Sequence, residues 1–141
     1  NYDSILCLGS HQFNEIKTLL NKMNKSLSFG GKVLILTLDP DKNEIPNFDL
    51  MKKKLSKSLK RDKKILSFIT KLYPKRILKK FSYKVKISKK KYIDMILKKF
   101  ISTLIGLNNK EILIGVGEID FKYKKNIKFN DKLVCIIIKN N

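Results

Sequence analysis

Tyr2-Asp3-Ser4-Ile5-Leu6-Cys7-Leu8 and, further on, Leu27-Ser28-Phe29-Gly30-Gly31-Lys32-Val33-Leu34-Ile35-Leu36-Thr37-Leu38 are the two stretches that decide the fold. Each holds a continuous apolar run, Ile5 to Leu8 and Val33 to Leu36. Such a short run, without polar alternation, predicts a strand buried on both faces. Between the two the period changes. Phe13, Ile16, Leu20, Met23 and Leu27 recur at spacings of three and four, which is one face of an amphipathic helix. Gly9-Ser10 ends the first strand, and Gly30-Gly31 stops the helix. Strand, helix, Gly-Gly, strand over residues 1–40 predicts a parallel βαβ unit with a right-handed crossover.

Asp39-Pro40-Asp41 is a turn cluster after the second run. Phe48, Met51, Leu55 and Leu59, and then Ile65, Phe68, Ile69 and Leu72, predict two basic amphipathic helices bounded by Pro46 and Pro74. Their lysine stems can cover apolar area while the charges stay in water. A lid or a polyanion-facing surface is the functional alternative. Tyr83, Val85 and Ile87 alternate with Lys84 and Lys86, so Phe81 to Ser88 is a strand with one polar face. Ser88 is placed to cap a helix carrying Tyr92, Ile93, Ile96, Phe100 and Leu104, with Gly106 as a left-handed C-cap. Residues 110–123 fit a helix capped at Asn108-Asn109, although Gly115 and Gly117 weaken it by about 1 kcal/mol each. Leu133 to Ile138 is a clear strand, which Ile127 and Phe129 extend or approach as a hairpin arm around Asn130-Asp131.

The chain has 141 residues, enough for one core. Its net charge is +20, from 32 basic side chains of which only Arg61 and Arg76 are arginines. Such charge points to a polyanion. Readers of nucleic acid, however, favour the bidentate arginine fork, and abundant Lys, Ile and Asn is also what AT-rich codons produce. Cys7 and Cys135 both lie in apolar runs and His11 is the only histidine, so no zinc site is expected and the thiols read as buried and reduced, in a cytoplasmic protein. No apolar run is long enough to span a bilayer, and no membrane partner is expected. The chain opens with Asn1 rather than Met, which leads us to expect a preceding segment.

Tyr2-Asp3-Ser4-Ile5-Leu6-Cys7 followed by Ser10-His11-Gln12-Phe13 resembles the fourth-strand motif of Rossmann-like S-adenosylmethionine-dependent methyltransferases. In that family an aromatic–Asp pair opens the strand, a loop with a His or aromatic residue follows, and a Leu-x-x-Gly-Gly turn leads into strand five. Here the turn is Leu27-Ser28-Phe29-Gly30-Gly31, with Phe29 where the family usually has Pro. The resemblance implies an α/β fold: the C-terminal half of the methyltransferase sheet, strands four to seven, with the last strand antiparallel and inserted between five and six. It divides the chain into a strand–helix–strand core over 1–40, a basic helical insertion over 41–80, and C-terminal strands and helices over 81–141. The family's Gly-rich loop after strand one and the acidic end of strand two have no counterpart here. Gly115-Val116-Gly117 follows no βα boundary.

The implied function is S-adenosylmethionine-dependent methyl transfer, with this chain supplying the acceptor side of the site and incomplete on its own. By the resemblance, Cys7, Leu8 and Gly9 lie beside the cofactor's methionine part, where Gly9 permits close backbone approach. His11 contacts the methyl acceptor, as a base or simply as a polar residue at a helix start. Phe13 lines the acceptor pocket or belongs to the helix's core stripe. Asp3 reads as structural, and Asp39 as a turn former. A small-molecule acceptor is favoured over nucleic acid, with RNA as a possible partner from the charge. The alternative function is a basic, non-catalytic module that binds RNA or another polyanion. No carboxylate pair, nucleophile–base pair or metal cluster suggests a hydrolase. Methyl transfer needs mainly positioning.

Overall fold

Val33, Ile35 and Thr37 point to one face of their strand, because side chains alternate along an extended backbone, and all three are buried. The computed structural model, which describes residues 2–8 and 15–140, builds the sheet around this strand. The elements run β1 (Tyr2–Leu8), α1 (Ile16–Lys25), β2 (Leu27–Leu38), α2 (Asp49–Leu72), β3 (Ile77–Ser88), α3 (Lys89–Leu97), α4 (Ser102–Ile105), α5 (Asn109–Lys122) and β4 (Asn126–Lys139). The fold is mixed α/β, with a sheet of strand order β1-β2-β4-β3 among the described residues. β1 pairs with β2 in parallel, Ile5 opposite Val33 and Cys7 opposite Ile35. β4 pairs with β2 antiparallel, Ile136 opposite Ile35 and Ile138 opposite Val33. The last strand of the chain therefore lies between the second and the third.

The chain divides into two compact units. The first comprises Asn1–Asn43, Leu59–Ser82 and Lys132–Asn141. Its core gathers Cys7, Val33, Ile35, Val134, Ile136 and Ile138 from one sheet face with Ile16 and Leu20 of α1 and Leu66 and Ile69 of α2. Each fully buried aliphatic side chain contributes about 1.5–3 kcal/mol. The opposite face is less covered: Leu34, Leu36, Leu38 and Ile137 are half-buried, and Leu6 is 57% exposed. The expectation of runs buried on both faces is thus corrected, because both helices of this core lie against the same side.

The second unit comprises Glu44–Ser58 and Tyr83–Asp131. Phe48, Met51, Tyr92, Ile96, Leu104, Leu107, Ile112, Ile119 and Ile127 are buried in it. The Tyr92 hydroxyl donates to the Pro46 carbonyl at 2.5 Å, and its ring meets Phe100 edge-on with centroids 5.7 Å apart. Burial, with Tyr123 nearby, pushes the Tyr92 phenol above its ordinary range, so it stays a protonated donor.

Several element boundaries differ from the sequence expectation. The two basic helices are one helix, α2. Asp62, buried at 4% exposure, occupies the stripe position between Leu55 and Leu66 where an apolar residue was looked for. The helix stops before Pro74, whose ring disfavours helical backbone at Tyr73. β3 starts at Ile77, ahead of Phe81. Leu27 opens β2 instead of closing α1. The helix expected through Leu104 breaks at Lys99, whose φ of 50° is left-handed. There Lys99 N–H donates to the Ile96 carbonyl and Phe100 N–H to the Met95 carbonyl, a Schellman ending. Gly106, expected to be the left-handed cap, has φ −80°. Of the two alternatives at Ile127 and Phe129, extension of the last strand holds: β4 begins at Asn126, and Asn130-Asp131 lies inside it rather than in a hairpin turn.

Candidate functional site

In open α/β sheets ligands gather beyond the C-terminal ends of the parallel strands, which here are the ends of β1 and β2. Leu8 ends β1 opposite Leu36. Gly9, His11 and Phe13, three of the five site residues named from sequence, lie outside the described residues. Cys7 is described. The whole residue is 2% exposed and belongs to the core of the first unit.

At the end of β2, Asp39 is 3% exposed and serves two purposes. One carboxylate oxygen accepts the Asp41 N–H at 2.9 Å, closing the turn expected at Asp39-Pro40-Asp41. The other meets Lys80 Nζ at 3.3 Å. Burial works to raise the Asp39 pKa. The Asp41 N–H, Lys80 and the Lys42 N–H outweigh it and hold the carboxyl below its usual value. Asp41 is itself paired with Lys63 at 2.7 Å. Both carboxylates at this strand end are therefore committed to lysines. Sequence reading did not identify Lys63 or Lys80, since nothing distinguishes them among so many lysines.

The Leu27–Gly31 turn is built as a bulge at the start of β2. Tyr2 is opposite Leu27, but Ser4 is already opposite Lys32. Gly30 has φ 76°, a conformation that favours glycine. A Cβ on Gly31 would come within 2.9 Å of the Ser28 carbonyl oxygen and 3.1 Å of that of Tyr2. Asn140 clamps the bulge: its carbonyl accepts from Gly30 N–H at 2.8 Å, and its N–H donates to Gly31 at 2.9 Å.

Each unit carries a concavity. One, of about 390 Å³, lies at the N-terminal end of β1 among Tyr2, Ser4, Ile5, Lys22, Met23 and Ser26, away from the strand end that carries Cys7 and Leu8. The other, of about 300 Å³, lies in the second unit among Lys84, Val85, Lys86, Lys128, Phe129 and Asn130. Among the described residues no three His, Cys, Asp or Glu side chains gather into a metal site, and no helix is long and apolar enough to cross a membrane. Both cysteines are free and buried. Burial raises the Cys135 pKa against a smaller lowering by Lys79, which leaves it an unreactive thiol.

No known family model matches the chain, and comparison with curated proteins gives no match. Among solved structures it is similar to a Bacillus halodurans C-125 protein described as a "putative methyltransferase", with TM-score 0.46 and 13% identity. The similarity covers 99% of this chain and 64% of that one, so the chain spans less than two thirds of its length.

Proposed function

We propose that this chain forms the acceptor-side part of an S-adenosylmethionine-dependent methyltransferase. The observation that carries the reading is the strand order β1-β2-β4-β3, with β1 parallel and β4 antiparallel to β2. In this reading the four strands are strands four, five, seven and six of the methyltransferase sheet. The Gly30-Gly31 bulge opening β2 agrees with it. The outer edge of β1, which pairs with no strand among the described residues, is where the cofactor-binding strands add.

The described residues fit one wall of a cofactor site. The backbone at Cys7–Leu8 ends a parallel strand, and the bulk of the Cys7 side chain is withdrawn into the core. S-adenosylmethionine supplies a methyl group on a positively charged sulfur. The chain's own part is to hold the acceptor: His11 contacts it and Phe13 lines its pocket. No other catalytic group is required where positioning and exclusion of water carry the rate. The Gly-rich loop and the ribose-binding carboxylate come from polypeptide outside these residues.

Photo-crosslinking tests this. The protein, expressed with its native flanking coding sequence, is irradiated with S-adenosylmethionine radiolabelled on the methyl group and digested with trypsin. The first lysine of the chain is Lys17, so one peptide ending there carries Cys7, Leu8, Gly9, His11 and Phe13. Label in that peptide, displaced by excess S-adenosylhomocysteine, is expected. Label elsewhere only, or none, overturns the proposal.

A further inference from the structure

The concavity of about 300 Å³ in the second unit is lined by Lys84 and Lys86 of β3 and Lys128 of β4, two neighbouring strands. All three lysines are exposed. Several lysines elsewhere meet carboxylates: Lys63 with Asp41, Lys80 with Asp39, Lys89 with Asp120 and Lys98 with Asp94. No carboxylate lines this concavity. Glu44 is tied to its rim through Asn130, and one oxygen of that carboxylate takes both the Asn130 backbone N–H at 3.0 Å and its side-chain amide at 2.9 Å. That leaves Asn130's amide nitrogen engaged and the three ammonium groups as the available charge.

Three like charges gathered on adjacent strands repel one another. A multiply charged anion between them reverses the sign of that interaction. Val85 and Phe129 supply apolar lining, which lowers the local dielectric and strengthens the attraction. Lysine is a compact point charge with no fixed fork, suited to phosphate oxygens approached from several directions. The volume is at the lower end of ligand pockets, the size of a few linked phosphates rather than a large organic body.

We infer that Lys84, Lys86 and Lys128 form a binding site for an oligophosphate group. The site is independent of the methyl-transfer reading. Its ligand is a free oligophosphate or the phosphate backbone of a nucleic acid strand, two sources of one chemistry.

The test is titration calorimetry on the full chain at low ionic strength, where screening is weak. The probes are inorganic tripolyphosphate and a six-residue oligouridylate. The triple variant Lys84→Gln/Lys86→Gln/Lys128→Gln is compared with Lys52→Gln/Lys53→Gln/Lys57→Gln, which removes the same charge from exposed positions of α2. The ribbon variant is expected to weaken tripolyphosphate binding about tenfold or more, and the helix variant less than about twofold. Tighter binding of tripolyphosphate than of the oligonucleotide assigns the site to a small ligand, and the reverse assigns it to a nucleic acid strand. Equal losses in the two variants, or no binding of either probe by the parent chain, overturn the inference. Melting curves show whether each variant folds. Should the ribbon triple fail to, the three single Gln variants carry the same comparison, each with about a threefold loss.

Discussion

Gly115 and Gly117 lie two positions apart on α5, and the same added methyl group has opposite effects at the two. An ideal Cβ on Gly115 would stand 2.5 Å from Cδ2 and Cε2 of Phe48 and 2.6 Å from its Cζ. Carbon atoms rest at about 3.5–4.0 Å, so the ring must retreat by roughly 1 Å. Phe48 is 2% exposed and cannot do so freely. Overpacking of this kind costs about 1–3 kcal/mol, against which alanine's helix preference returns about 1 kcal/mol. Gly115→Ala is therefore expected to be neutral to destabilising by about 2 kcal/mol. A Cβ on Gly117 meets nothing within 4 Å, so Gly117→Ala keeps the propensity gain of up to about 1 kcal/mol. Thermal and urea unfolding followed by circular dichroism read the difference, roughly 3 to 6 °C per kcal/mol for a chain of this size. Adding Phe48→Leu to Gly115→Ala should recover part of the loss. If Gly115→Ala proves as stable as Gly117→Ala, the packing of Phe48 against α5 is wrong.

Asp39→Asn keeps the turn-closing oxygen and removes the charge facing Lys80, which should cost about 1–2 kcal/mol at neutral pH. Because folding lowers the Asp39 pKa, its contribution is present above the unfolded value near 3.8 and is lost as pH falls through the folded one. Parent and variant stabilities should therefore converge in acid, and a gap unchanged from neutral pH down to strong acid would contradict the assignment. Asn108→Ala removes the oxygen that accepts Glu111 N–H at 2.9 Å in a capping box. It should destabilise by about 0.5–2 kcal/mol, while Asn108→Ser should retain most of the cap. Equal melting temperatures for the two substitutions would show that the box contributes nothing.

The parts of the fold legible in the sequence are those where one residue type and one period agree. Ile5 to Leu8, Val33 to Leu36 and Leu133 to Ile138 are apolar enough to be strands in any context, and Asn108-Asn109 announces the start of α5. The parts that were not legible depend on a partner distant in sequence or on a residue breaking its own preference. Asp62 hides the continuity of α2 because a carboxylate holds a buried stripe position. Lys99 takes the left-handed position that glycine usually fills, its ammonium reaching the Leu107 carbonyl at 2.7 Å. At Asn130-Asp131 the sequence left extension and a hairpin arm open; Glu44 holds the Asn130 N–H from far away in the chain, and β4 runs straight through. At the end of β2 the turn at Asp39-Pro40-Asp41 was legible. The Asp39–Lys80 pair was not, since in so lysine-rich a chain no single lysine stands out.

The asymmetry of the sheet ties these observations together. β1, β2 and β4 carry apolar side chains on both faces, a pattern that stabilises a strand only when both faces leave water. One face is closed by α1 and α2. The other is less covered, with Leu34, Leu36, Leu38 and Ile137 half-buried and Leu6 largely exposed, although Cys135 on it is buried. The outer edge of β1 pairs with no strand among the described residues, and an open sheet edge invites a further strand. The proposed methyltransferase reading accounts for both features with one addition: a cofactor-binding half that pairs along β1 and brings a layer over Leu6, Leu34 and Leu36. The lysine-lined concavity lies in the second unit and depends on neither reading. An anion site there is compatible with the proposed methyltransferase reading.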